Sequence, residues 1–129
     1  MKKIEISVLV LFLLITSIVH AADKAKVAVA AEGQTANALV SEVAARSPYF
    51  LIFEKNGKFL EAVDNPYKAT KGGAGTSVVP FLAQMGVTFV VAGEFGTKML
   101  QGMKSNGIKY LEFHGSAEAA LKKVLEAKR

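Results

Sequence analysis

The sequence predicts an α/β domain built on a five-stranded mixed sheet, with an antiparallel hairpin and helices packed on the sheet. Two apolar runs flank Lys55-Asn56-Gly57, and Asn-Gly between such runs is the strongest short-range signal of a β-hairpin. In the second half of the chain, strand patterns alternate with helical ones, which favours parallel strands joined by helices. The early hairpin and the later parallel strands together make the sheet mixed.

The first 21 residues have the pattern of a secretory signal peptide. Met1-Lys2-Lys3 gives a positive start, residues 8–19 form an apolar run, and small residues end the segment at Ala21. The apolar run is shorter than the roughly 20 residues that a membrane-spanning helix needs. We therefore expect cleavage after Ala21, one domain over residues 22–129, and a periplasmic or secreted protein. An uncleaved N-terminal membrane anchor is the alternative.

Three strands and a short helix are predicted in the first half of the domain. Residues 26–31 are small and apolar, as in a strand buried on both faces. Residues 34–47 carry apolar side chains at helical spacing, which predicts a short helix that ends before Pro48. Residues 49–54 and 58–63 are the two strands of the predicted hairpin.

The second half begins with the glycine-rich turn Gly72-Gly73-Ala74-Gly75, followed by a helix predicted over residues 77–85 with Thr76 or Ser77 as its cap. Apolar runs and helical stripes then follow one another to the end of the chain. They predict a central strand at 87–92, a helix from Thr97 to Asn106, a fifth strand at 108–113 and a last helix after Ser116.

Charge and cysteine content exclude several classes of protein. The formal net charge is +5, yet the basic residues are scattered, which indicates a solvated surface with a mild preference for anions rather than a nucleic-acid-binding surface. The chain has no cysteine. It therefore lacks disulfides, cysteine-ligated zinc and iron–sulfur ligation by thiolates.

An anion site is predicted where glycine turns lead into helices. Free N–H groups and the helix dipole make such positions attractive to phosphate, carboxylate or cluster anions. If the first and fourth strands are neighbours, the turns after them share the edge of the sheet where open α/β folds bind ligands. The candidate cofactor-binding residues are Glu32, Gly33, Gly72, Gly73, Gly75, Thr76, Gly93, Glu94, Gly96 and Thr97.

Metal and enzyme chemistry have fewer candidates. His114 is the sole histidine after the expected cleavage site and is the candidate metal ligand. Met99 and Met103 could join it around Cu(I), although core packing is the ordinary role of methionines at this spacing. Glu32 and Glu94 could hold a divalent metal as in a nuclease, but a two-metal site needs more carboxylates. No catalytic triad or metalloprotease motif is present, which favours a binding or carrier role over an enzyme.

Six short motifs occur in order between residues 26 and 109. They are Lys26-Val27-Ala28-Val29-Ala30-Ala31-Glu32-Gly33, Arg46-Ser47-Pro48-Tyr49-Phe50-Leu51-Ile52, Asp64-Asn65-Pro66, Gly72-Gly73-Ala74-Gly75, Val90-Val91-Ala92-Gly93 and Gly107-Ile108-Lys109. In this order and spacing they resemble the dinitrogenase iron–molybdenum cofactor biosynthesis family (NifX-like proteins). The resemblance implies a ribonuclease-H-like fold and a non-catalytic role in binding, carrying or assembling molybdenum- or iron–sulfur-containing clusters, with protein partners in metalloprotein assembly.

Two features depart from that family. Before the Arg-x-Pro-Tyr-Phe run the family often has Pro, a basic or His residue and then Phe-Gly, whereas this chain has Glu42-Val43-Ala44-Ala45. The nitrogenase accessory proteins also work in the cytoplasm, whereas a signal peptide is predicted here. We expect an exported relative whose ligand has changed. The alternative is a periplasmic protein-interaction module that keeps the fold without the cluster.

Overall fold

A computed structural model describes residues 25–127, so the predicted signal peptide lies outside the described residues. The strands are β1 (Lys26–Ala31), β2 (Tyr49–Glu54), β3 (Phe59–Asp64), β4 (Val87–Ala92) and β5 (Lys109–Glu112). The helices are α1 (Ala74–Gln84), α2 (Thr97–Ser105) and α3 (Ala117–Ala127), with a short 3₁₀ helix at Ala44–Arg46. Within this described part, no helix is long and apolar enough to cross a membrane.

The strands form one five-stranded sheet in the order β3-β2-β1-β4-β5. β2 is antiparallel to both β1 and β3, whereas β4 is parallel to both β1 and β5. The mixed sheet with its antiparallel hairpin is therefore confirmed, while the ribonuclease-H-like label remains an expectation from the resemblance. Because β1, β3, β4 and β5 run in the same direction, their C-terminal ends lie together at one edge, which we call the carboxyl edge.

Helices cover both faces of the sheet. Ala28 and Ala30 of β1 pack in the cluster under α1 and α2, whereas Val27 and Val29 pack in the cluster under α3. This alternation follows from the two-residue period of a strand, and it explains why β1 is apolar at nearly every position. Met99 and Met103 are each 1% exposed and belong to the cluster under α1 and α2. Their predicted role in core packing is confirmed.

Residues 34–47 do not form the predicted helix, apart from the 3₁₀ turn. Instead, residues 39–43 run along the carboxyl edge, and we call them the edge segment. Val40 bridges to Ala31 of β1, Leu39 bridges to Ser116, and Val43 bridges to Glu94 beyond β4. The helix prediction from apolar spacing was wrong because the backbone of this segment pairs with other parts of the chain rather than with itself. Leu39 stays 65% exposed rather than facing the core.

α1 begins at Ala74, three residues earlier than predicted, and its N-cap is Gly73 rather than Thr76 or Ser77. Gly72 and Gly73 both have positive φ angles, 74° and 70°, which glycine adopts without the steric cost that other residues incur. Two such residues in succession turn the chain sharply enough for the helix to start at once. Pro80 consequently lies inside the helix rather than in its first turn.

Candidate anion-binding cleft

The first turns of α1 and α2 lie side by side and form a cleft of about 290 Å³. We call it the helix-start cleft. The 3₁₀ turn that follows the edge segment supplies its remaining wall. The lining residues are Val43, Ala45, Arg46, Gly73, Ala74, Gly75, Thr76, Gly96, Thr97, Lys98 and Met99. The points where the two predicted glycine turns lead into their helices therefore meet at one site.

Glycine permits the close approach of the two helices. A β-carbon on Gly75 would lie 3.1 Å from the Cβ of Met99 and 3.3 Å from its backbone nitrogen. One turn further along α2, a β-carbon on Gly102 would lie 3.3 Å from the Cγ2 of Val79. Because both positions lack side chains, the helix starts approach closely enough to share one cleft.

Six backbone N–H groups in the first turns of α1 and α2, all on residues that line this cleft, have no acceptor within their own helices. In α1 the first backbone bond is donated by Ser77 to Gly73, and in α2 the first is donated by Leu100 to Gly96. Neither helix has a side-chain cap or an acidic residue in its first turn. The free donors belong to Ala74, Gly75, Thr76, Thr97, Lys98 and Met99, all of which line the cleft. Two helix dipoles thus place partial positive charge at one point.

Two basic side chains add to this positive potential, and no carboxylate lines the cleft among the described residues. Lys98 lies in the first turn of α2. Arg46 ends the 3₁₀ helix, and its Nη1 donates hydrogen bonds to the carbonyls of Thr70 and, at 3.3 Å, Lys68. Neither residue is among the ligand contacts predicted from the sequence. The signals were present, because Lys98 follows a predicted helix cap and Arg46 begins one of the family motifs.

Half of the predicted cofactor-binding residues come together at the cleft. Gly73, Gly75 and Thr76 line it from α1, and Gly96 and Thr97 line it from α2. Gly72 immediately precedes this set and is exposed, but it does not line the cleft. Main-chain donors at two helix starts make this cleft a candidate anion-binding site.

Glu32 and Gly33 lie along the edge segment instead. The Glu32 carboxylate accepts a hydrogen bond from the Oγ of Ser41. The backbone N–H of Glu32 donates to the carbonyl of Leu39 at 2.9 Å. A β-carbon on Gly33 would lie 3.3 Å from the Cβ of Ala38. These contacts hold the loop after β1 against the edge segment and leave both residues outside the cleft lining.

Gly93 and Glu94 also serve the edge segment. The N–H of Gly93 donates to the carbonyl of Ser41 at 2.8 Å, and the N–H of Glu94 donates to the carbonyl of Glu42 at 2.5 Å. A β-carbon on Gly93 would lie 2.8 Å from the Cα of Glu42. The end of β4 is thus paired with protein backbone, and these two amides are not free to receive a ligand.

His114 lies just beyond β5, where its Nδ1 is 3.3 Å from a carboxylate oxygen of Glu42. Both side chains are largely exposed. Among residues 25–127, no group of three or more histidine, aspartate or glutamate side chains is arranged to hold a metal ion. The role of His114 as a metal ligand stays a prediction.

Residues 25–127 match the family model described as dinitrogenase iron-molybdenum cofactor. This match covers the whole described domain, including both helix starts and the edge segment. A comparison with curated protein sequences gives no match.

Solved structures of similar proteins share the fold. The apo form of the orange protein from Desulfovibrio gigas has a TM-score of 0.73 and 26% identity, covering 80% of this chain and 88% of that one. A putative NifB protein from Thermotoga has a TM-score of 0.65 and 28% identity, covering 81% and 89%. A putative dinitrogenase from Methanocaldococcus jannaschii, at 13% identity and a TM-score of 0.53, covers 80% and 89% and shows the fold alone.

Proposed function

The chain belongs to the dinitrogenase iron-molybdenum cofactor family, and from this premise we propose that it binds and carries an anionic metal cluster in the helix-start cleft. The observation that carries the proposal is that the first turns of two helices, with their unpaired backbone N–H groups, and Arg46 line one cleft. The similarity to an orange protein solved in its apo form and to a putative NifB protein is consistent with this role.

The cleft chemistry suits a molybdenum- or iron–sulfur-containing cluster held by hydrogen bonds. The chain has no cysteine to ligate the metal, so oxygen or sulfur atoms of the cluster would accept bonds from main-chain N–H groups. Bonds to charged groups contribute about 1.5–3 kcal/mol each. Thr76, Thr97 and Lys98 are exposed, which leaves a route from solvent. A cluster bound in this way can be taken up and released without breaking a covalent bond.

We propose a carrier rather than an enzyme. The residues lining the cleft include no histidine, cysteine or carboxylate that could act as a general base. In this role the protein receives its cargo from, or delivers it to, a protein partner in metalloprotein assembly. The predicted signal peptide would place that exchange in the periplasm or outside the cell.

A second candidate function is a protein-interaction module that has lost the cluster. The observation in its favour is exposed apolar surface on the edge segment, where Leu39 is 65% exposed and Val43, which lines the cleft, is 37% exposed. A contiguous exposed apolar patch is a common mark of a protein contact surface. This candidate predicts partner binding without any affinity for cluster anions.

Calorimetric titration of residues 22–129 with tetrathiomolybdate distinguishes the two functions. The carrier proposal expects saturable binding that weakens about tenfold in Arg46→Ala, the loss typical of a charge-assisted hydrogen bond. Lys123→Ala is the matched control, since Lys123 is an exposed basic residue on α3, outside the cleft lining. Absence of binding by the unaltered protein, together with absence of metal in natively expressed material, would rule out the carrier.

A further inference from the structure

We propose that Asn65 is a positioning residue for cluster binding, because its buried side chain fixes the place of the Arg46 guanidinium at the helix-start cleft. The inference rests on the proposed function of the cleft. It extends that function to a residue that does not line the cleft and lies nineteen positions away in the chain. Two independent sets of hydrogen bonds carry it.

The first set fixes the backbone from which Arg46 projects. The Nδ2 of Asn65 donates to the carbonyl of Ala45 at 2.9 Å and to the carbonyl of Ser47 at 3.0 Å. These are the residues immediately before and after Arg46. Asn65 is only 1% exposed, so water does not compete for these bonds. One amide group therefore holds the chain on both sides of the arginine.

The second set fixes the carbonyls that the guanidinium contacts. The Oδ1 of Asn65 accepts a hydrogen bond from the N–H of Tyr67 at 2.9 Å. This bond begins a turn in which the N–H of Thr70 donates to the carbonyl of Tyr67 at 3.1 Å. The carbonyls of Lys68 and Thr70, in the same turn, are the acceptors of the Arg46 Nη1. Asn65 thus sets both the origin of the arginine side chain and the site where its tip is held.

Asparagine has the donor and acceptor set that this arrangement needs. Its short amide provides two N–H donors and one carbonyl acceptor in one plane. Serine offers one donor, and ionised aspartate offers none. With the guanidinium fixed through Nη1, its other N–H groups remain available to a ligand in the cleft. The arginine is then pre-organised, which reduces the entropy lost when an anion binds.

A double-mutant cycle separates this positioning role from a general contribution to stability. Tetrathiomolybdate affinity is measured for the unaltered protein, Asn65→Ser, Arg46→Ala and the double variant, well below every melting temperature. We expect N65S alone to weaken binding about tenfold, since it misplaces a charged donor. In the R46A background the same substitution should change affinity by less than about twofold, because the group it positions is gone.

The matched control is Asn106→Ser. Asn106 also donates from its side-chain amide to a backbone carbonyl, that of Gly102 at 2.8 Å, but it lies at the end of α2. N106S should leave affinity unchanged. If N65S weakens binding equally with and without Arg46, or does not weaken it at all, the positioning role is wrong. If N65S does not fold, Asn65→Gln keeps the amide but displaces it by one methylene, and the same cycle applies.

A measurement without ligand distinguishes failure of this inference from failure of the proposed function. The chain has only two arginines, Arg46 and Arg129, so the Nε–H resonance of Arg46 can be assigned in a nitrogen-15 spectrum. We expect N65S to shift or broaden this signal. An unchanged Arg46 signal overturns the positioning role. Absence of binding by the unaltered protein overturns the proposed function, whatever the spectrum shows.

Discussion

Gly75 in the first turn of α1 lies directly against Met99 in the first turn of α2, so closely that a β-carbon on Gly75 would be 3.1 Å from the Cβ of Met99. Met99 is 1% exposed and forms part of the core. It therefore has little room to move away. This contact sets the separation of the two helix starts, and with it the spacing of the six free N–H groups in the cleft.

The first prediction concerns this contact. Gly75→Val should destabilise the domain by about 1–3 kcal/mol, the usual cost of overpacking a buried contact. It should also weaken tetrathiomolybdate binding, because the helix starts must separate and their donors no longer converge. Urea denaturation and calorimetric titration measure the two effects. A variant that binds as tightly as the unaltered protein would show that the spacing of the helix starts does not matter.

A second prediction concerns a substitution at Gly96 that should make the domain more stable but weaken its binding of an anion. Gly96 has the extended backbone of an N-cap, with φ −68° and ψ 155°, but no side chain to cap the helix. Gly96→Asp should cap α2 and favour its dipole, raising the free energy of unfolding by about 0.5–1 kcal/mol. The same carboxylate should repel an anion and occupy its donors, which weakens binding at least about tenfold.

Gly96→Asn is the matched control for that substitution. Asparagine caps a helix about as well as aspartate but carries no charge. It should stabilise α2 while keeping more of the affinity than aspartate does. Equal binding by the aspartate variant and the unaltered protein would place the anion away from the start of α2.

The strands could be predicted from the sequence because their signals are local. Asn56-Gly57 marked the hairpin, and the apolar runs at Lys26–Ala31 and Val87–Ala92 gave the bounds of β1 and β4 as observed. The edge segment could not be predicted in this way. Two of its three bridge partners, Glu94 and Ser116, are far away in the sequence. Its apolar residues therefore matched a helix that tertiary pairing overrode.

The candidate site was predictable only in part for the same reason. Glycine turns before helices pointed to Gly73, Gly75 and Gly96, because free N–H groups at helix starts are a local property. Whether the amides after β4 are free depends on what packs against them. Carbonyls of the edge segment accept hydrogen bonds from both amides, and no sequence pattern near Gly93 indicates this pairing. The Arg46 contact likewise depends on carbonyls that come from the far side of the hairpin.

A third prediction concerns the pair formed by His114 and Glu42. Both side chains are more than half exposed, so solvent screens their attraction. His114→Ala should change the free energy of unfolding by less than about 0.5 kcal/mol. The same variant tests His114 as a metal ligand. A rise in melting temperature with Zn²⁺ that occurs in the unaltered protein and disappears in H114A would confirm that role, whereas an identical response of both proteins would exclude it.

The last prediction concerns Gly93, where the edge segment crosses the end of β4. A β-carbon here would lie 2.7 Å from the carbonyl oxygen of Glu42 and 2.8 Å from its Cα. Backbone atoms cannot rotate away, so Gly93→Ala must displace the edge segment and strain the 2.8 Å bond from Gly93 to Ser41. We expect a loss of about 2–3 kcal/mol in the free energy of unfolding.

Gly33→Ala is the control for this last prediction, since its β-carbon would meet only the Cβ of Ala38, at 3.3 Å. A contact at that distance can relax by a small shift, so the loss should stay below about 1 kcal/mol. Urea denaturation of both variants measures the difference. If G93A is no less stable than G33A, the edge segment can leave the end of β4 at little cost. The amides of Gly93 and Glu94 would then be accessible to a ligand after all.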